Sequence, residues 1–128
     1  MMTTLAVGVD VVDVPRFTLA LRRRPRLIER LFTEQERRDC QERPDRLAAR
    51  FAAKEAVLKA LGSGLGAASF QSIEVRREPS GAPRIVLHDE ARDLATSLGI
   101  AQLHVSLSHT PTTATAFVVA SSEESRAG

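Results

Sequence analysis

The chain has 128 residues, which suits one compact domain and leaves little room for a second. Its hydrophobic fraction is 43%, yet the only aromatics are five Phe, so Leu, Val, Ile and Ala must fill the core. No apolar run approaches the roughly 20 residues of a membrane helix, and the first residues lack the pattern of a secretory signal. The single cysteine, Cys40, excludes an intrachain disulfide and suits a reducing cytoplasm. Net charge is only +2, but ten of the 18 basic residues fall between Arg16 and Arg46, a local positive surface.

Taken in order, Leu5 to Val14 reads as a buried strand that carries two acids, Asp10 and Asp13. Pro15 opens a helix to Arg24, and Pro25 ends it. A short helical piece through Leu31 follows, and Thr33 with Glu36 forms a capping box that starts another. The strongest helix begins at Pro44 or Asp45 and runs to Leu61, stopped by Gly62; Gly62, Gly64 and Gly66 make a loop. Two strands, Phe70 to Arg77 and Arg84 to His88, flank a turn at Pro79-Ser80-Gly81. Asp89 caps a helix to Leu98, and two more strands, Gln102 to Leu107 and Thr115 to Ala120, flank Thr110-Pro111. The expected fold is a small single α+β domain over residues 1–120, with an antiparallel sheet packed on a long central helix. A polar, disordered tail is expected over 121–128.

On the central helix, Leu47, Phe51 and Leu58 share a stripe at about 100° per residue. Glu55 and Lys59 lie beside it among alanines, where a surface pair would be turned to water; an i,i+4 ion pair is the simple alternative. The loop Gly62-Ser63-Gly64 could bring backbone N–H groups to a phosphate, although a glycine after a helix is more commonly a cap. Asp10 is costly in an apolar strand unless it is paired or bound to a metal. Asp10 and Glu55 together suit Mg²⁺, which favours carboxylates, waters and substrate phosphates. Asp13 fits a strand-end cap better.

These residues resemble a known family. Gly8-Val9-Asp10-Val11-Val12 through Arg16, Phe32-Thr33 to Glu36, Arg50-Phe51-Ala52-Ala53-Lys54-Glu55-Ala56 to Lys59-Ala60, Gly81-Ala82-Pro83 and Ser106-Leu107-Ser108-His109-Thr110 are similar to holo-acyl-carrier-protein synthase, the small bacterial type of 4′-phosphopantetheinyl transferase. The resemblance spans nearly the whole chain, in order. It implies that this fold transfers 4′-phosphopantetheine from coenzyme A to a serine of apo acyl carrier protein and releases adenosine 3′,5′-bisphosphate, in fatty-acid or polyketide synthesis. It implies Mg²⁺ on Asp10 and Glu55, Lys59 at the diphosphate, and coenzyme A contacts from Arg50, His109, Pro83 and the Gly62-Ser63-Gly64 loop. Where the family often has consecutive basic residues before the central helix, this chain has Gln41-Glu42-Arg43-Pro44, so Arg43 or Arg46 is expected to take that part. Arg16 matches a basic position that meets the acidic carrier protein, and Arg22, Arg23 and Arg24 are expected to extend that docking surface, the alternative being an ordinary solvated face. The family also implies a homotrimer with each active site at a subunit interface. The serine proton goes to a metal-activated water or, as the rival, to Glu55 or a water that Glu55 holds.

A non-catalytic module that binds acidic proteins or nucleic acid through arginines is the alternative of another class. The absence of Trp and Tyr argues against nucleic acid, and a pure docking module has no use for Asp10 or for Glu55 and Lys59 beside alanines. His88 and His104 are expected to be structural, and Cys40 to have no chemistry.

Overall fold

The computed structural model describes residues 2–62 and 68–123. Its elements in order are β1 (Met2–Asp13), α1 (Val14–Arg23), α2 (Leu27–Leu31), α3 (Glu34–Asp39), α4 (Pro44–Ala60), a 3₁₀ turn (Phe70–Ser72), β2 (Ile73–Arg77), β3 (Pro83–Leu87), α5 (Asp89–Ser97), β4 (Gln102–His109) and β5 (Thr113–Glu123). Strands β1, β5 and β4 form an antiparallel sheet in that spatial order, and β2 and β3 form a separate hairpin. The expected α+β domain, with antiparallel strands on a long central helix, is the architecture found.

Helix α4 is the centre of the domain. Its alanines 48, 49, 52, 53, 56 and 60 are all buried, and on β5 the buried row that meets the helix is Ala114, Ala116, Val118 and Ala120. Small side chains on both surfaces let helix and sheet approach closely. Gly8 on β1 marks the tightest point: a Cβ there would stand 2.0 Å from the Ala56 carbonyl oxygen. The opposite side of α4 is covered by α1 and β2, and Phe51 stacks on Phe17 and meets Phe70 at a tilt, with centroids 5.1 and 5.5 Å apart.

Local signals act largely where the sequence places them. Asp13 caps α1 through Arg16 N–H at 2.9 Å, with Pro15 in the first turn. Thr33 and Glu36 form a complete capping box on α3. Four differences have physical reasons. Phe70–Ser72 winds as a 3₁₀ turn rather than a strand because Ser69 accepts the Ser72 N–H through both its backbone and its side chain. Asp89 is the first residue of α5, not its cap, and holds a positive φ of 47° after an N-cap His88. Strand β1 is covered on one face only, since Val7, Val9 and Val11 stay more than half exposed. Finally, β5 runs on through Ser121 and Ser122 to Glu123, paired with Thr4, Thr3 and Met2, so these three residues of the expected tail are strand.

Candidate active site

Asp10 sits on the face of β1 that Gly8 and Val12 turn towards α4, and its side chain is 15% exposed. The Lys59 ammonium, one turn beyond Glu55 on α4, donates to Asp10 Oδ1 and to the Val9 carbonyl, both at 2.9 Å. The lysine therefore pairs with Asp10 rather than with Glu55 as a simple i,i+4 surface pair would. Glu55 is half-buried and takes no hydrogen bond among the described residues. Burial raises the proton affinity of its carboxyl, the Asp10 charge raises it further, and Lys59 opposes both. Asp10 and Glu55 line one shallow recess together with Arg16, Phe17 and Phe51.

Two carboxylates that repel each other across an open recess, with an ammonium already drawn to one of them, form a donor set suited to a hard divalent cation. Among the described residues no group of three or more His, Cys, Asp or Glu is assembled. Any such ion would thus keep open positions for water and substrate oxygens.

A second concavity lies on another side of α4. Arg46 and Arg50 from α4, Arg76 and Arg77 from β2, Pro83 from the hairpin and His109 from the end of β4 line it, with Asp39 and Cys40 at its floor. Arg50 is buried, donates to the Val75 carbonyl and stands 4.0 Å from Asp39. His109 Nε2 lies 3.8 Å from Asp45. The Cys40 thiol is buried, and that burial pushes its pKa up. Glu74, buried on β2, accepts from Thr33 Oγ1 at 2.6 Å and Arg76 Nε at 2.7 Å, with His88 Nε2 at 3.2 Å. Burial alone would raise its pKa, but those hydrogen bonds outweigh it and hold the carboxyl below its usual range.

The structure thus brings the expected residues together in two groups rather than one. Asp10, Glu55 and Arg16 share the acidic recess, with Lys59 bonded to Asp10; Arg46, Arg50, Pro83 and His109 share the basic groove. Arg43 is the N-cap residue of α4 and pairs with Asp45, outside that lining, whereas Arg46 lines the groove. Arg22, Arg23 and Arg24 are exposed at the end of α1. Gly62 takes a positive φ of 69° after α4, as a helix-ending glycine does, whereas Ser63 and Gly64 lie outside the described residues. Arg76 and Arg77 were not singled out in the sequence; two adjacent cations at the end of a strand, just before a turn, were the available signal.

An α+β scaffold that presents paired carboxylates with a lysine, and a separate arginine-lined groove, has the side chains that phosphoryl chemistry requires. The sequence profile described as "ACPS: 4′-phosphopantetheinyl transferase superfamily" matches residues 6–117. A holo-[acyl-carrier-protein] synthase of Moorella thermoacetica is 47% identical over 127 residues, spanning 97% of this chain and 99% of that protein. The Helicobacter pylori holo-[acyl-carrier-protein] synthase in complex with coenzyme A superposes with a TM-score of 0.81 at 32% identity, over 89% of this chain and 98% of that one. A holo-(acyl-carrier-protein) synthase from Bacillus anthracis in complex with CoA (3′,5′-ADP) gives 0.78 at 32% identity, over 96% and 100%. The chain belongs to the bacterial-type holo-acyl-carrier-protein synthase family of the 4′-phosphopantetheinyl transferases. It is an enzyme of that transferase class.

Proposed function

We propose that the family's reaction takes place at the Asp10–Glu55 recess. The 4′-phosphopantetheine group passes from coenzyme A to a serine hydroxyl of an apo acyl carrier protein. The serine oxygen bonds to the β-phosphorus, the P–O bond to the α-phosphate breaks, and adenosine 3′,5′-bisphosphate leaves. The observation that carries this reading is the pairing of Lys59 with Asp10 beside a Glu55 that no donor among the described residues engages.

Asp10 and Glu55 would hold Mg²⁺, which when bound supplies charge neutralisation for the diphosphate. Lys59, whose side chain is 54% exposed, would exchange its Asp10 contact for a phosphate oxygen. There it stabilises the charge that grows on the leaving phosphate. Glu55, whose oxygens accept no hydrogen bond among the described residues, would orient the serine hydroxyl, or a water that takes its proton. Arg46, Arg50, Arg76, Arg77 and His109 receive the phosphorylated nucleotide half. Arg16 is placed at the recess itself, and Arg22, Arg23 and Arg24 extend the positive charge along α1, a surface suited to steering an acidic carrier protein.

The acidic recess and the basic groove belong to one site if the chain is a homotrimer in which each site joins the recess of one protomer to the groove of the next. Two observations support this. The groove measures ≈ 220 Å³, below the about 300–1,000 Å³ of small-molecule sites, so one chain does not enclose coenzyme A. The outer face of the three-stranded sheet also exposes Val7, Val9, Val11 and Phe117, at 55%, 52%, 64% and 46%, a contiguous apolar surface suited to another copy. No described helix is long and apolar enough to cross a membrane. A cytoplasmic location fits the free, buried Cys40 and the substrates.

The test is incubation with coenzyme A, Mg²⁺ and an apo carrier protein, followed by intact mass. The expected result is a gain of one phosphopantetheine unit on the carrier. No gain on several carriers overturns the reading.

A further inference from the structure

Lys54 precedes Glu55 in the same motif, yet it takes no part in the chemistry above. Its side chain is 0% exposed and its ammonium has three acceptors: Glu36 Oε1 at 2.7 Å, the Phe70 carbonyl at 2.8 Å and the Ile73 carbonyl at 2.6 Å. Three N–H donors meet three acceptors, so the cation is fully satisfied. Glu36, equally buried, accepts the Thr33 N–H on the same oxygen and the Val75 N–H on Oε2, both at 2.9 Å.

These bonds share one target. In an antiparallel pair, alternate residues turn their N–H and C=O away from the neighbouring strand. On β2 the groups of Ile73 and Val75 that face away from β3 are bonded by side chains from two helices. Lys54 takes the Ile73 carbonyl, Glu36 the Val75 N–H and Arg50 the Val75 carbonyl. Charged side chains from α3 and α4 thus occupy the edge where a further strand would pair. Among the described residues the β2–β3 hairpin has no strand hydrogen bonds to the three-stranded sheet, so this clamp, together with the packing of β3 against β4, holds it against α4. Arg76 and Arg77 follow Val75 directly, and Pro83 is the register partner of Arg77. All three line the groove, whose other wall is α4 with Arg46 and Arg50.

We propose that the buried Lys54–Glu36 pair is a positioning element that sets the hairpin against α4, and so fixes the width of the groove for the phosphorylated nucleotide of coenzyme A. The inference rests on the reading of that groove as the nucleotide site. The acidic recess does not depend on the clamp, because Asp10 is held to α4 through the Gly8–Ala56 contact and Lys59. Binding and turnover should therefore separate.

The experiment is steady-state kinetics of Lys54→Met/Glu36→Gln, a double substitution that removes both charges together and leaves neither unpaired. Lys54→Gln/Glu36→Gln, which is also free of charge and keeps hydrogen-bonding atoms on both side chains, serves if the first double variant does not fold. The expected result is a KM for coenzyme A raised about ten-fold with kcat within about two-fold. Affinity for adenosine 3′,5′-bisphosphate by calorimetry should fall in parallel. A purely structural pair would lower the active fraction and hence kcat, with KM unchanged; that outcome, or an unchanged KM with full kcat, overturns the proposal. Arg46→Ala separates the two readings. If it raises KM and the Lys54–Glu36 variant does not, only the positioning role fails. If neither raises KM, the groove is not the nucleotide site and both readings fail.

Discussion

Lys59 occupies a place that a metal ion would contest. Its ammonium neutralises Asp10, so a cation bound there would be linked to a move of Lys59 away from that carboxylate. Lys59→Met should therefore bind Mn²⁺, followed by electron paramagnetic resonance without coenzyme A, roughly three-fold more tightly, the scale of an exposed ion pair. Turnover should fall at the same time because the leaving phosphate loses its cation. Unchanged or weaker Mn²⁺ binding would show that Lys59 does not compete for Asp10. Glu74 gives a pH-dependent counterpart. Its folded pKa is depressed, so the stability it contributes is present above the ordinary carboxylate range and is lost as pH falls through the folded value. Glu74→Gln should cost about 1–2 kcal/mol near neutrality by urea unfolding, and the difference should shrink as both proteins are taken into acid. A difference that stayed constant down to strong acid would exclude an ionised Glu74. The sequence exposed Asp10 because an acid in an apolar strand is conspicuous. Lys54 and Glu36 were not legible as a buried pair, since a lysine in the alanine-rich α4 looks like solvated surface and Glu36 on α3 was already accounted for by its capping box. Only the uncovered edge of β2, a tertiary feature, draws them inside.

Among the elements, the contact of β1 with α4 governs the geometry of the acidic recess. Any side chain at position 8 must move the Ala56 carbonyl, which belongs to helix backbone and cannot rotate away. Gly8→Ala should destabilise the fold by about 3 kcal/mol or more, read as a lowered urea midpoint. Folded enzyme should still lose activity, as Asp10 separates from Glu55 and Lys59. Retained stability would mean that α4 shifts freely on the sheet. The helices and strands themselves were legible because caps, prolines and glycines sit at their ends. Thr33–Glu36 and Asp13 act as their positions suggested. Boundaries failed where tertiary contacts overrode local preference: Ser69 winds the approach to β2 into a 3₁₀ turn, and pairing with β1 extends β5 into residues that read as polar tail. The apolar run of β1 pointed to a strand covered on both faces, whereas one face carries Val7, Val9 and Val11 in the open. A sequence cannot show which apolar face is closed by its own chain and which by another.

At the scale of the whole molecule, that open face and the separation of recess from groove argue for the same assembly. Arg50 and Glu55 are five residues apart on α4, so at about 100° per residue they point roughly 140° away from each other. A ligand that engages both the basic groove and the two carboxylates is therefore better served by two chains than by one. Charges placed on the open face should divide the assembly: Val7→Lys/Phe117→Lys should sediment as a monomer and turn over roughly a hundred-fold more slowly at limiting coenzyme A, with its acidic recess intact. A sharper test mixes two impaired chains. Asp10→Ala removes the acidic half, and Arg46→Ala/His109→Ala removes the basic half. Refolded together in equal amounts, the chains form mixed trimers in which an interface is whole when its recess comes from the arginine and histidine variant and its groove from the Asp10 variant. Independent pairing makes about one interface in four whole, so activity at low coenzyme A should recover to about a quarter of the unsubstituted enzyme. A site contained within one chain would yield no recovery, because every chain in the mixture carries a lesion.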